Sequence, residues 1–181
     1  MNETHVSSLK AEPFSAELAV AAGIDFAKLR VGSAGLFWNE YRPQDAACRL
    51  WHWRDGQAHC LTPAGFSVRS RVYEYGGGAF CLSDDGVVFV NEADQQLYRQ
   101  ALDGSAPRAL TTGTCRYGDV QWFDGQVIAV EEQADQHRLV SIHASTLERQ
   151  VLAEGADFYA APTLSPDGQR LAWIEWSRPH Q

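Results

Sequence analysis

The side chains best suited to chemistry in this 181-residue chain fall into a few short runs. Glu131 and Glu132 are adjacent, and a pair of carboxylates suits an ammonium ion through charge-assisted hydrogen bonds. Arg69 and Arg71 alternate along "RSRVYEYGGGAF" (69–80), so on an extended segment both point the same way and can clamp a peptide carboxylate or carbonyl. Ion pairing with Glu74 or Asp119 is the structural use of the same two arginines. Tyr75 adds an aromatic ring beside them. Gly76, Gly77 and Gly78 do not make a phosphate loop, because the G-x-G-x-x-G spacing is missing and the run feeds a strand, not a helix. A serine nucleophile on a sharp strand-to-helix turn would show as G-x-S-x-G; the nearest string, "GSAG" (32–35), has the wrong spacing. Cys48, Cys60, Cys81 and Cys115 form no C-x-x-C pair, so reduced, mostly buried thiols are expected and no zinc. The histidines are scattered, and neither a metal site nor a cofactor is expected.

Composition narrows the partners. A formal charge of −8 repels phosphate backbones and anionic lipid, so no nucleic acid and no membrane are expected. No apolar stretch reaches the roughly 20 residues that cross a bilayer. The start, "MNETHVSSLKAEPF", has no basic region followed by an apolar one, so a cytoplasmic location is expected.

The elements that must position these side chains repeat along the chain. A glycine turn leads into a short apolar run that ends in Glu: Gly35 before "LFWNE", Gly86 before "VVFVNE", Gly125 before "QVIAVEE", Gly168 before "QRLAWIEW". A second run follows each of the first three ("RLWHW", "LYRQAL", "RLVSIHA"), and then a third ("HCLTP", "RALTT", "RQVLA"). Another precedes each of the last three glycines ("GGAFCLS", "DVQWF", "AAPTLS"). Four short strands every roughly 40–50 residues is the period of a β-propeller blade. The post-glycine run is apolar at nearly every position because a middle strand is covered by a neighbouring blade on each face. A β-sandwich has no reason to repeat in fours.

The expected fold is therefore all-β, an incomplete β-propeller of about three and a half four-stranded blades. Blades are expected near 32–63, 75–112, 118–153 and, incomplete, 158–181. Residues 1–31 are read as an N-terminal extension in which "SAELAVAAGIDFAKLR" (15–30) forms a short helix, capped by Ser15. A final half blade leaves an open apolar edge, so the sequence is expected to be truncated and to self-associate. The Asp-Gly turns share one rim of the disc. Glu40, Glu92, Glu131, Glu132 and Glu175 gather at the other, with the links between blades.

The strings "WNEYRP" (38–43), "RSRVYEYGGGAF" (69–80), "DQQLYR" (94–99), "RYGD" (116–119) and "DFYAAPTLSPDGQRLAWIEWSRPH" (157–180) resemble the N-terminal propeller of bacterial serine peptidases of the prolyl oligopeptidase family, in its dipeptidyl aminopeptidase and acylaminoacyl-peptidase branch. The resemblance runs from about residue 15 to the end. It implies a seven-bladed propeller followed by a C-terminal α/β-hydrolase domain carrying the Ser, Asp and His triad, none of which is in this sequence. The fragment is thus expected to have no catalytic residue, and to gate short peptide substrates for its parent. By the same resemblance Glu131 and Glu132 would hold a substrate α-amino group; solvated hairpin charges, as at the equivalent Glu40, Glu92 and Glu175, are the alternative. A non-catalytic propeller serving as a binding scaffold is the alternative.

Overall fold

The computed structural model describes residues 23–179. All of its extended segments belong to antiparallel sheets, each built from consecutive strands. The first sheet holds β1 (Asp25–Gly32), β2 (Gly35–Arg42), β3 (Ala47–Arg54) and β4 (Gln57–Cys60). The second holds β5 (Phe80–Leu82), β6 (Gly86–Val90), β7 (Leu97–Ala101) and β8 (Arg108–Ala109). The third holds β9 (Arg116–Phe123), β10 (Gln126–Gln133), β11 (Gln136–His143) and β12 (Arg149–Glu154). The fourth is a single hairpin of β13 (Phe158–Leu164) and β14 (Leu171–Trp176).

Three apolar clusters lie between successive sheets. Phe37 and Leu50 of the first sheet meet Phe80, Val87 and Phe89 of the second. Val88, Val90 and Leu97 meet Val120, Val127, Ala129 and Val140 of the third. Ile128, Val130 and Leu139 meet Tyr159, with Leu164 and Leu171 alongside. Every residue of β6 is buried because Val87 and Phe89 face one neighbour while Val88 faces the other. This is the physical origin of the unbroken apolar runs in the sequence: strand alternation is erased where both faces are covered.

The recurring Leu-Thr pair in "HCLTP" and "RALTT" has the same job twice. Leu61 and Leu110 donate their N–H groups to Leu50 and Leu97 carbonyls, both at 2.8 Å. The hydroxyls of Thr62 and Thr111 then accept the N–H groups of Leu50 (2.7 Å) and Leu97 (2.9 Å). The outer strand is thereby sewn to the third strand of its own blade.

The N-terminal helix needs correction. Residues 15–22 lie outside the described residues, but the remainder of that stretch is loop and then strand β1. Its alanine-rich composition favours a helix. From Asp25 on, the pairing of Val31 with Leu36 and of Leu29 with Trp38, closed by the turn from Gly32 to Gly35, makes the chain a strand. The first sheet thus opens at Asp25, within the stretch read as an extension (1–31), and gains its innermost strand.

Candidate functional site

The link from the first blade to the second crosses one rim of the arc. Ser67 accepts the N–H of Glu92 on its carbonyl (2.7 Å), and Arg69 donates its own N–H to the carbonyl of Val90 (3.1 Å). Gln95 fixes both arginine backbones: its Oε1 accepts the Arg71 N–H at 2.6 Å, and its Nε2 donates to the Arg69 carbonyl at 3.3 Å. Arg69 and Arg71 point the same way, and both reach Glu92. Arg71 Nη2 lies 2.9 Å and Arg69 Nη1 3.7 Å from Glu92 Oε1, while Ser67 Oγ donates to Oε2 at 2.7 Å. Burial pushes the Glu92 carboxyl up, but the Ser67 hydroxyl and the two guanidinium groups outweigh it and hold the group below the usual carboxylate range. Neither Glu74 nor Asp119 is their partner. Glu74 pairs instead with Arg116, whose hydrogen bond and charge lower its carboxyl.

Beyond Arg71 the chain turns sharply through Val72–Glu74, a single 3-10 turn. Tyr73 (φ 57°), Glu74 (φ 64°) and Gly76 to Gly78 (φ 72°, 137° and 51°) are all left-handed. Only glycine fits at Gly78: a Cβ there would stand 2.4 Å from the Cα of Asp119 in the next blade. The turn is held from outside. Glu132 Oε2 accepts the N–H of Tyr73 at 2.8 Å. The Tyr73 hydroxyl donates to the carbonyl of Tyr159 (3.1 Å) and accepts the N–H of Tyr159 (3.0 Å). Its ring meets His137 and Phe158 edge-on at centroid distances of 4.8 and 5.2 Å. Burial, foremost, pushes the Tyr73 phenol up to about 12, so it stays protonated and able to donate. Tyr75, by contrast, projects from this braced turn with 94% of its surface exposed.

Glu131 and Glu132 are neighbours in sequence but not in space, since successive strand residues point to opposite faces. Glu131 is 1% exposed and sits in a fork of Arg149, with Nε and Nη2 at 2.7 and 2.5 Å. The Tyr117 hydroxyl (3.2 Å) and Arg138 (3.5 Å) complete its shell. Glu132 turns to the rim, where its Oε1 lies 3.8 Å from Arg116. The rim thus brings together Arg69, Arg71, Glu132 and Tyr75, and sets Glu131 apart. Tyr73, Glu92, Arg116 and Arg149 join these networks although no motif marks them as site residues. On the sequence the two arginines pair with Glu74 or Asp119; the Glu that recurs at each second-strand end is the signal that could have found Glu92, and nothing local points to Tyr73, whose partner is 86 residues away.

Among the described residues no three His, Cys, Asp or Glu side chains are grouped to hold a metal ion. All four cysteines are free; Cys60 is exposed, and burial pushes the Cys81 thiol up to about 12, away from any nucleophilic use.

A scan against protein-family models and a search of curated proteins both find no match. Solved structures do match. A puromycin-hydrolyzing peptidase of Mycobacterium tuberculosis is 31% identical with a TM-score of 0.83, over 93% of this chain and 29% of that one. A puromycin hydrolase is 27% identical with a TM-score of 0.75, over 93% and 30%. The chain thus spans under a third of the length of these two enzymes. A chain of a nidogen/laminin complex, 11% identical with a TM-score of 0.57 over 83% of this chain and 56% of that one, shares the fold alone.

Proposed function

We propose that this chain, which is the N-terminal propeller part of a prolyl oligopeptidase-family peptidase, admits short peptides to a serine-type catalytic domain and holds them at the rim bearing Arg69, Arg71, Glu132 and Tyr75. The observation that carries this reading is the bracing of that rim. A fully exposed tyrosine and two half-exposed arginines stand on a backbone fixed by Gln95, Glu132 and Tyr159. Exposed aromatic and guanidinium groups on a rigid support bind with little ordering cost. Glu132 offers its Oε1 to a substrate α-ammonium, the other oxygen being spent on Tyr73; Glu131 serves by holding Arg149. The likeness to puromycin-hydrolyzing enzymes supports a substrate of small size.

The complete peptidase tests this. Alanine at Arg69, Arg71 and Tyr75 together is expected to lower kcat/KM for oligopeptides roughly tenfold or more, at 1.4 kcal/mol per decade, and to leave a small chromogenic ester nearly unaffected. Equal loss on both substrates, or on neither, contradicts the reading.

No helix among the described residues is long and apolar enough to cross a membrane, and free thiols suit the cytoplasm we assign to it. Phe26, Val31 and Ile174 are 70%, 73% and 58% exposed on the flanking sheets. We expect the chain by itself to self-associate through these flanks; a monodisperse monomer in sedimentation would count against that.

A further inference from the structure

Two guanidinium groups lean on one carboxylate. Glu92 Oε1 serves both Arg69 and Arg71, and its Oε2 is taken by the Ser67 hydroxyl. At 3.7 Å the contact of Arg69 is an ion pair beyond hydrogen-bonding reach, so its donors face outward, on a side chain 58% exposed. Arg71 gives one nitrogen to Glu92 and is 54% exposed. The other carboxylates of the rim are committed: Glu74 to Arg116, and Glu132 to the Tyr73 N–H with Arg116 beside it. The charges of Arg69, Arg71 and Arg116 balance those of Glu74, Glu92 and Glu132, so what stays open at the rim is not net charge but the planar, forked donors of Arg69 and Arg71. A forked guanidinium matches a carboxylate in shape as well as charge.

Resting on the reading of this rim as the peptide-holding face, we infer that Arg69 and Arg71 capture the C-terminal carboxylate of a short peptide, so that the bound substrate is a free-acid oligopeptide. The two side chains stand two residues apart and lean toward the same carboxylate oxygen. Their backbones are already fixed by Val90 and Gln95, so binding orders only the guanidinium ends.

The test is equilibrium binding to the complete peptidase, inactivated by a serine-directed inhibitor, of three versions of one fluorescent pentapeptide: free acid, C-terminal amide, and amide with an internal aspartate. The free acid is expected to bind roughly tenfold tighter than the amide, the weight of one charge-assisted pairing. Arg71→Gln and Arg69→Gln are each expected to shrink that ratio toward one. Arg71→Lys, which keeps the charge but not the fork, should retain part of it. Equal binding of acid and amide overturns the carboxylate assignment. So does an aspartate amide that binds as tightly as the acid, since any carboxylate would then serve. Failure of all three peptides to bind overturns instead the broader proposal that this rim holds peptides at all.

Discussion

The two rims of the arc are built in different ways. On the turn rim, side chains bond mainly within their own hairpin: Ser165 donates to Asp167, which accepts the N–H of Gln169, and Arg99 reaches Asp85 across the β6–β7 pair, while Trp122 to Asp84 and Arg108 to the Ala144 carbonyl join the second blade to the third. On the link rim the bonds cross between blades: Tyr73 to Glu132 and Tyr159, Arg116 to Glu74, Asp119 Oδ2 to the N–H of Ala161. Bonds local to a hairpin can vary one hairpin at a time. A rim of crossing bonds fixes three blades against each other, which is what a surface must do to hold a ligand in constant geometry.

The contrast can be broken at its strongest point first. Tyr73→Ala removes a half-buried ring and the two hydrogen bonds that join the link between the first and second blades to Tyr159 of the fourth hairpin, and is expected to cost about 3 kcal/mol in denaturant unfolding. Tyr73→Phe keeps the ring and should cost about 1 kcal/mol; if it matches the alanine change, the hydroxyl and not the packing carries the brace. Glu131→Gln leaves Arg149 facing a neutral group in a partly buried fork, for an expected loss of about 2 kcal/mol. Lowering pH sharpens the comparison. The Glu92 carboxyl is held below its ordinary 4.5, so its contribution is complete above that value and is lost as pH falls through the lower folded one. The melting midpoint should therefore drop more steeply below pH 4.5 in the native chain than in Glu92→Gln. Smallest of all, Asp167→Ala on the turn rim should change stability by about 0.5 kcal/mol, because its partners are exposed and next to it. A loss as large as that of Tyr73→Ala would erase the distinction between the rims.

What the sequence discloses follows the same division. The Gly-turn, apolar run and terminal Glu mark β2, β6, β10 and β14 because turn chemistry and double-sided burial both act within a few residues. Arg69 and Arg71 are correctly placed on one side by period-two alternation, and the same rule separates Glu131 from Glu132. Strand β1 is hidden because alanine-rich composition upstream suggests a helix, while its pairing depends on β2. The partner of the two arginines is misjudged because nearness in sequence favoured Glu74, whereas the rim brings Glu92 closer. The Tyr73–Tyr159 clasp has no local signature at all.

That clasp also has a consequence in time. Hairpin contacts close short loops and can form early. Tyr73 must await the third blade and the fourth hairpin, since the partner of its hydroxyl lies 86 residues on and long closures carry the larger entropy penalty. Its bonds therefore belong to the late side of the folding barrier. Substitution there should leave the folding rate nearly constant and accelerate unfolding, so the residue that stills the rim would also set how long the assembled arc persists before it opens.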